Sequence, residues 1–583
     1  MWECQGVRLE RETQRRLQQY GSLRGKEARP GEFWDVVVIT AADRQQESAY
    51  QQQIGDKLAR KELPLGVRYH VFSDPAGPKI GNGGSTLHAV QRLRQIYAAE
   101  LERFTVMLIH AGGYSQRLPS ASALGKIFTA LPLGEPTYQM LDLKLAMYID
   151  FPRNMKPGVL VTCADDLELY ASGDLAVTFD RPGITALAHP STLTIGTTHG
   201  VFVLEATTSG YEELEYRQCK SYLHKPSVEK MRQSGAVNIL QSGDSMPDPE
   251  IVYTDSLFYM DHNTVGLLLG FFHDSGGLSC EIDAYGDFLQ ALGPDATADY
   301  TENVENVSKV ESELTEVRKR IYYLLRGTGF TVILLNNSKF YHIGTTREYL
   351  HHLTSDPKLK AELGLRSKVF SIVPGQDEAA NETVCVIQSV LDATATVSPH
   401  SVVEYSRLGP NVSIGEHCII SGVSIHVGSH IPPKSFVSSF SLRLGGQLMY
   451  STVTLGIDDN LKANVGSLSN VGSLRFCGRS LSECLGIWGI DASEELFSGD
   501  SAARSLWTAR LFPVCSALAD SVKLSIEMLS AATRGESAGN PGSAKRVSME
   551  EILLHKDVED MLGFRQLLYT DIVSQNQGGD VTH

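Results

Sequence analysis

From about residue 31 to residue 355, short apolar runs alternate with longer stretches of helical spacing. That alternation predicts βαβ units around a mostly parallel sheet, an α/β fold. The candidate strands are Trp34–Thr40, Val67–Ser73, Thr105–Ala111, Gly158–Cys163, Ile184–Ala188, His199–Leu204 and Ile251–Met260; the candidate helices are Gln45–Lys61, Ser85–Glu102 and Tyr138–Ile149. Further on the period changes. Val390, Thr396, Val402, Leu408, Ile414 and Ile420 recur every six residues, with Gly409 and Gly415 following two of them. After a one-residue slip the pattern resumes at Ile425, Ile431 and Val437. Such a hexad predicts a parallel β-helix of two or three coils, each stacking its apolar residues inward on the next. Beyond about residue 455 strand-like and helical stretches mix. Ala531–Arg546, rich in Ala, Gly and Ser, reads as a mobile loop before a last helical region that begins near Ser548. The charged N-terminus, MWECQGVRLERETQRRLQQY, reads as a short helix.

Length and composition narrow the class. A chain of 583 residues is too long for one core, and 42% hydrophobic with 21% charged residues describes globular domains. A formal net charge of −16 repels polyanions and excludes a general nucleic-acid or anionic-membrane binder, so small anions need local basic pockets. The longest apolar stretch, near Val265 to Phe272, falls well short of the roughly 20 residues that span a bilayer. The N-terminus lacks the apolar segment of a secretory signal. Nine cysteines without a C-x-x-C pair fit neither a disulfide framework nor a zinc site. The expectation is a cytoplasmic protein with reduced thiols.

The chemistry concentrates in glycine-rich stretches. HAGGYSQRLPSASALGK, residues 110 to 126, follows an apolar strand and combines two glycines with an arginine and a lysine, a combination suited to phosphate. It is not a P-loop, because Ser120 stands where the first glycine is required and Ile127 follows Lys126. An earlier stretch, Ser73 to Val90, carries Gly81, Gly83, Gly84, Ser85 and Thr86 ahead of a helix, with Lys79 nearby. It misses the dinucleotide fingerprint, because Thr86 replaces its last glycine. The anion-binding reading of Gly81–Thr86 rests on backbone N–H groups at a helix start. VLVTCADDLELY sets Asp165 and Asp166 at the end of an apolar strand, where paired carboxylates are costly without a cation.

A strand followed by GG-x-S-x-R-L-P and a loop ending in GK resembles the signature of the sugar-nucleotide pyrophosphorylases. In order along the chain come VTCADD, THGVF, YLHKPS, YTDSLFYMD and the hexad region. With DP-x-G-x-K-I-G-N-G-G-S-T ahead of the signature, nearly the whole chain is similar to the GDP-L-fucose pyrophosphorylase family.

The resemblance implies a Rossmann-like nucleotidyltransferase domain of GT-A type over residues 31–360, preceded by a helical segment (1–30). A small left-handed β-helix (361–455) and a mixed C-terminal region (456–583) would follow. It implies transfer of GMP from GTP to L-fucose 1-phosphate, with Mg2+ as cofactor. Gly81, Gly83, Gly84, Ser85, Thr86, Gly112, Gly113 and Ser115 would hold the nucleotide, and Arg117 and Lys126 the triphosphate, with Pro119 part of the motif. Lys225 would meet the sugar phosphate and Gly200 the sugar ring. Mg2+ would be held by Asp255 with Asp165 or Asp166; which of the two remains open. His224 departs from the family's E-K-P element. No stretch like the glycine- and serine-rich loop of a fucokinase occurs, so a monofunctional enzyme is expected.

Two other classes fit parts of the pattern. One is a non-catalytic nucleotide-sugar-binding regulatory protein of the same fold, which would not need a complete metal and pyrophosphate site. The other is acyl transfer by the β-helix with His400, His417, His426 or His430 as base, for which the coils are too few. Bracing the catalytic domain, or self-association, is the role expected of the coils.

Overall fold

The computed structural model describes residues 2–206, 212–239, 249–374, 382–426, 428–499, 504–537 and 544–578. The chain forms two compact units. The first comprises Met1–Gly113 and Leu141–His342, the second Tyr114–Met140 and Ile343–His583. The signature stretch is thus divided, with His110–Gly113 in the first unit and the residues from Tyr114 on in the second.

In the first unit a long helix, α1 (Trp2–Leu23), precedes the sheet. Strands β1 (Val36–Ala41), β2 (Arg68–Ser73), β3 (Thr105–His110) and β4 (Gly158–Cys163) lie parallel in the order β2-β1-β3-β4. Every residue of β1 is buried, as expected of a parallel strand covered on both faces. Between β1 and β2 runs α2 (Arg44–Ala59), whose first turn is capped by Asp43 accepting the Gln46 N–H at 2.8 Å. Between β2 and β3 runs α3 (Gly81–Tyr97), and before β4 comes α4 (Met140–Met147). All seven strands and all three helices read from the hydrophobic pattern are present, with ends shifted by a few residues.

The other half of the sheet departs from the parallel expectation. Strand β5 (Asp166–Ala171) leaves the sheet to pair with β12 (Asn337–His342) in a two-stranded ribbon. The main sheet continues through β6 (Ile184–Ser191), β7 (Gly200–Leu204), β8 (Leu214–His224), β9 (Asn238–Ile239), β10 (Glu250–Asp261) and β11 (Phe330–Leu335). Here β10 enters antiparallel between β4 and β6, and β8 runs antiparallel to β11 and β7, so the sheet is mixed. The polar sequence LEYRQCKSYLH of β8 gives no apolar run, which is why periodicity missed it. A large apolar core in this unit has Val36, Leu108, Val159, Phe258, Ile282, Phe288 and Ile321 among its members, and a smaller one gathers Val201, Met231 and Val252.

In the second unit short parallel strands stack in three ladders with a constant step. Val390 faces Arg407 and Arg407 faces Ser424; Thr396 faces Ser413 and Ser413 faces His430; Val402 faces Ile419 and Ile419 faces Phe436; each step is 17 residues. The inward positions are Leu391, Val397 and Val403, then Leu408, Ile414 and Ile420, then Ile425, Ile431 and Val437, all in one apolar cluster. The hexad read from the sequence is thus one residue early in its first turn, where Val390 is half-buried and Thr396 exposed. The slip recurs at every 17-residue repeat, since three six-residue steps less one give 17. Corners repeat at the same interval in the left-handed backbone region, at Gln388 and Tyr405 (φ 42° and 48°) and at His400, His417 and Lys434 (φ 61°, 57° and 57°). His400 and His417 stack at 4.9 Å as successive corners.

A helix, Leu518–Arg534, covers this core with Val522, Ile526 and Leu529. It takes in the first residues of the expected loop Ala531–Arg546, whose residues 538–543 lie outside the described ones. Ser548 then caps the helix Met549–His555 in a capping box with Glu551. The eight cysteines with described side chains are free thiols. No described helix is long and apolar enough to cross a membrane.

Candidate functional site

Within the first unit, the glycine turn after β3 is held by α2. Gln46 donates from Nε2 to the Gly113 carbonyl (2.9 Å), and its Oε1 accepts from the N–H groups of Ala42 and Gly113 (2.8 and 3.3 Å). Gly113 has φ 117°, which a side chain would strain, and a Cβ on Gly112 would press on Ala42 N at 3.1 Å.

The second glycine stretch is not a loop ahead of a helix but the start of α3 itself. Its glycines answer to packing: a Cβ on Gly81 or Gly83 would meet the Ile282 carbonyl at 2.4 or 2.8 Å, and one on Gly84 would meet Ile80 at 2.6 Å. The Gly83 N–H is already donated to Ile282 O at 2.8 Å. Ser85, buried, donates to Asp74 and to the Gly81 carbonyl, and Thr86, fully buried, bonds the Asn82 carbonyl and His110 Nε2 (2.7 Å). Burial lifts the Asp74 carboxyl to about 6 against the Ser85 hydrogen bond, and lowers His110 to about 4. Lys79 is exposed and reaches Ser308.

The carboxylates beyond β4 have separate partners. Asp166 is buried against the Lys144 ammonium, which also reaches Thr162 (3.2 Å); burial raises its carboxyl to about 6 in spite of that cation. Asp165, part-exposed, faces His342 Nε2 at 3.3 Å. Asp255 is buried at a bulge in β10, where Oδ1 accepts the Gly200 N–H (2.8 Å) and Oδ2 the Tyr222 hydroxyl (2.7 Å). Gly200 packs on that tyrosine so closely that a Cβ would lie 1.7 Å from its hydroxyl. Lys225 follows in a left-handed conformation (φ 47°), its N–H donated to His199 O and its side chain exposed. His224 is part-buried, its two ring nitrogens without a protein partner.

Among the described residues, the group of His, Cys, Asp and Glu gathered tightly enough for one ion is His351, His352 and Asp356 of the second unit. Asp165, Asp166 and Asp255 are not so gathered, because His342, Lys144 and the Tyr222–Gly200 pair each hold one of them. The least enclosed is Asp165, a hard oxygen donor of the kind Mg2+ takes one or two of, alongside phosphate.

Sequence reasoning missed a buried network beside these groups. Glu168 bonds His189 Nδ1 (3.2 Å) and the Ser256 hydroxyl (2.8 Å); His189 Nε2 contacts Thr254, and its ring stacks on Phe340 at 4.7 Å. Glu168 sits two residues after Asp166 on β5, and strand alternation put both on one face.

The second unit holds the cations of the signature loop. Ser115 has φ 47° and its carbonyl accepts the Leu118 N–H (2.8 Å), a turn that leads to the short helix opening at Pro119. Arg117 is exposed and its carbonyl accepts the Thr346 N–H at 2.9 Å; Lys126 is half-buried. A third cation, Lys462, lies close enough that the charges of both act on it. Partial loss of water, then Arg117 and Lys126, hold its ammonium below the ordinary lysine range. No motif marks Lys462; an isolated lysine in IDDNLK gives no signal.

Residues 98–517 match the Fucose pyrophosphorylase domain. The chain belongs to the fucose pyrophosphorylase family. Its similarity to relatives in this family runs end to end: it is 58% identical over 579 residues to a human protein named fucose-1-phosphate guanylyltransferase, covering 97% of this chain and 95% of that protein. A mouse fucose-1-phosphate guanylyltransferase is 54% identical over 98% of this chain and 99% of its own length. A bifunctional fucokinase/GDP-fucose pyrophosphorylase of Arabidopsis thaliana is 26% identical, and 89% of this chain matches 50% of that longer protein.

Proposed function

We propose that this chain makes GDP-L-fucose and pyrophosphate from GTP and L-fucose 1-phosphate. The observation that carries the reading is its 58% identity to the human fucose-1-phosphate guanylyltransferase across nearly the full length of both. The Arg117, Lys126 and Lys462 cations support a polyphosphate ligand. In this reading the first unit is a Rossmann-like nucleotidyltransferase domain of GT-A type, and the 17-residue ladders are coils of a left-handed parallel β-helix.

The sugar phosphate is itself an anionic nucleophile. Its oxygen attacks the α-phosphorus in line, the bond to the β-phosphate bridging oxygen breaks, and pyrophosphate leaves with that electron pair. No general base is required, so the residues align and neutralise. Arg117 clamps phosphate oxygens, Lys126 offsets charge on the departing pyrophosphate, and Lys225 offsets the sugar phosphate. The backbone turn at Gly112–Gly113, fixed by Gln46, approaches the nucleotide, with Ser115 next to it. Mg2+, when bound, supplies charge neutralisation on the phosphates. Asp165, the least enclosed of the three although it faces His342, would be the carboxylate to hold it; Asp166 is buried against Lys144 and Asp255 orders the Gly200–Tyr222 contact. The helix start at Gly81–Thr86, with its hydroxyls engaged internally, shapes the wall under the nucleotide.

The test is a matrix of nucleoside triphosphates against sugar 1-phosphates with Mg2+, scored by pyrophosphate release. Turnover should be greatest with GTP and L-fucose 1-phosphate. No release from any pair, with nucleotide sugar still bound, would favour the regulatory alternative.

A further inference from the structure

The loop after the last long strand of the second unit is built rather than loose. The Ile457 N–H donates to Lys434 O at 3.0 Å. Asp459 accepts the N–H groups of Gly456 (2.7 Å) and Cys477 (2.9 Å), and Asn460 Oδ1 accepts those of Lys462 (3.0 Å) and Ala463 (3.2 Å). Leu461 is buried and anchors the turn, while Lys462, next to it, is exposed.

This loop is tied to the signature loop through one residue. Thr346 donates its N–H to the Arg117 carbonyl (2.9 Å) and its hydroxyl to the Ile457 carbonyl (3.0 Å). The nearby acid Asp458 is taken by Arg347 at 2.7 Å. Among the described residues, neither the Arg117 guanidinium nor the Lys462 ammonium has an anionic partner. Holding like charges together is unfavourable in the ligand-free protein, and in a chain with 68 acidic residues an internal counter-ion was available to evolution.

We propose that Lys462 is a third cationic ligand of the polyphosphate, completing with Arg117 and Lys126 a binding place for inorganic pyrophosphate on the second unit. The proposal rests on the guanylyltransferase reading for the identity of the ligand. It gives the region beyond the ladders a part in the reaction. Three cations from two chain segments suit a ligand of two or three phosphates better than a single phosphate.

The experiment uses the full chain with Lys462→Ala and Lys462→Arg, in the reverse direction from GDP-L-fucose and pyrophosphate. In Lys462→Ala the KM for pyrophosphate should rise at least tenfold while the KM for GDP-L-fucose stays within threefold; Lys462→Arg should recover most of the loss. Without ligand the alanine variant should melt no lower than the parent, since it loses a like-charge repulsion, but its stabilisation by pyrophosphate should be cut. An unchanged KM for pyrophosphate, or a variant that melts lower and loses both substrates alike, would overturn the proposal. No reverse reaction in the unaltered protein would count against the guanylyltransferase reading. Calorimetric titration with inorganic pyrophosphate would then still decide the site, with equal affinity in parent and alanine variant refuting it.

Discussion

Replacing Gly200 by alanine separates two explanations of that glycine. If it is there because a sugar ring lies against the backbone, the variant folds normally and binds sugar phosphate poorly. The structure gives a different reason: the new Cβ would sit 1.7 Å from the Tyr222 hydroxyl and 2.1 Å from its Cζ. Tyr222 is 3% exposed and packs against Phe202, so it has nowhere to swing. Moving it breaks the 2.7 Å bond to the Asp255 carboxylate, a hydrogen bond to a charged group worth about 1.5–3 kcal/mol. Overpacking of a filled core adds about 1–3 kcal/mol. The expected loss is therefore roughly 3–6 kcal/mol, read as a fall in the urea midpoint with unchanged slope. Tyr222→Phe, which removes the bond without the clash, should lose about 1.5–3 kcal/mol. A Gly200→Ala protein as stable as the parent, with only its KM for sugar phosphate raised, would refute the packing argument.

Lys126→Ala should lower turnover at least a hundredfold, about 2.7 kcal/mol of transition-state stabilisation, with the circular dichroism of the parent. Asp165→Asn should raise the Mg2+ needed for half-maximal activity at least tenfold at near-parent stability. Lys144→Met, by contrast, should destabilise by about 3–5 kcal/mol through the buried Asp166 it leaves uncompensated, as measured by denaturant unfolding. His110, lowered by burial to about 4, is neutral when folded and charged when unfolded, so its contribution is present above about pH 6.5 and lost as pH falls towards 4. That loss is about 3 kcal/mol, and His110→Gln should flatten the stability profile over that interval.

Apolar runs made the first half of the sheet and its helices legible, because a parallel strand covered on both faces must be apolar throughout. The same rule hid β8, which pairs on both edges yet alternates polar and apolar residues. The six-residue period of the ladders was visible, but its phase was not. Leu391 and Val403 point inward, while their neighbours Val390 and Val402 are also apolar, so composition could not choose between adjacent residues. For the candidate site, a motif can name Arg117, Lys126 and the two aspartates. That Asp166 is taken by Lys144 of α4 and Asp165 faces His342 of β12 depends on contacts the motif does not contain. Lys462 was invisible for the same reason: its meaning comes from Thr346 joining two loops remote in sequence.

Because Tyr114–Met140 is grouped with residues beyond Ile343, the stretch bearing Arg117 and Lys126 leaves the ribosome long before its neighbours exist. It waits for those residues while the rest of the first unit is made. A cut after His342 would give an N-terminal fragment that carries the signature yet lacks the second-unit residues grouped with it, such as Thr346, which donates to the Arg117 carbonyl. Attempts to isolate a minimal catalytic half by truncation should therefore yield protein with the motif and without the activity.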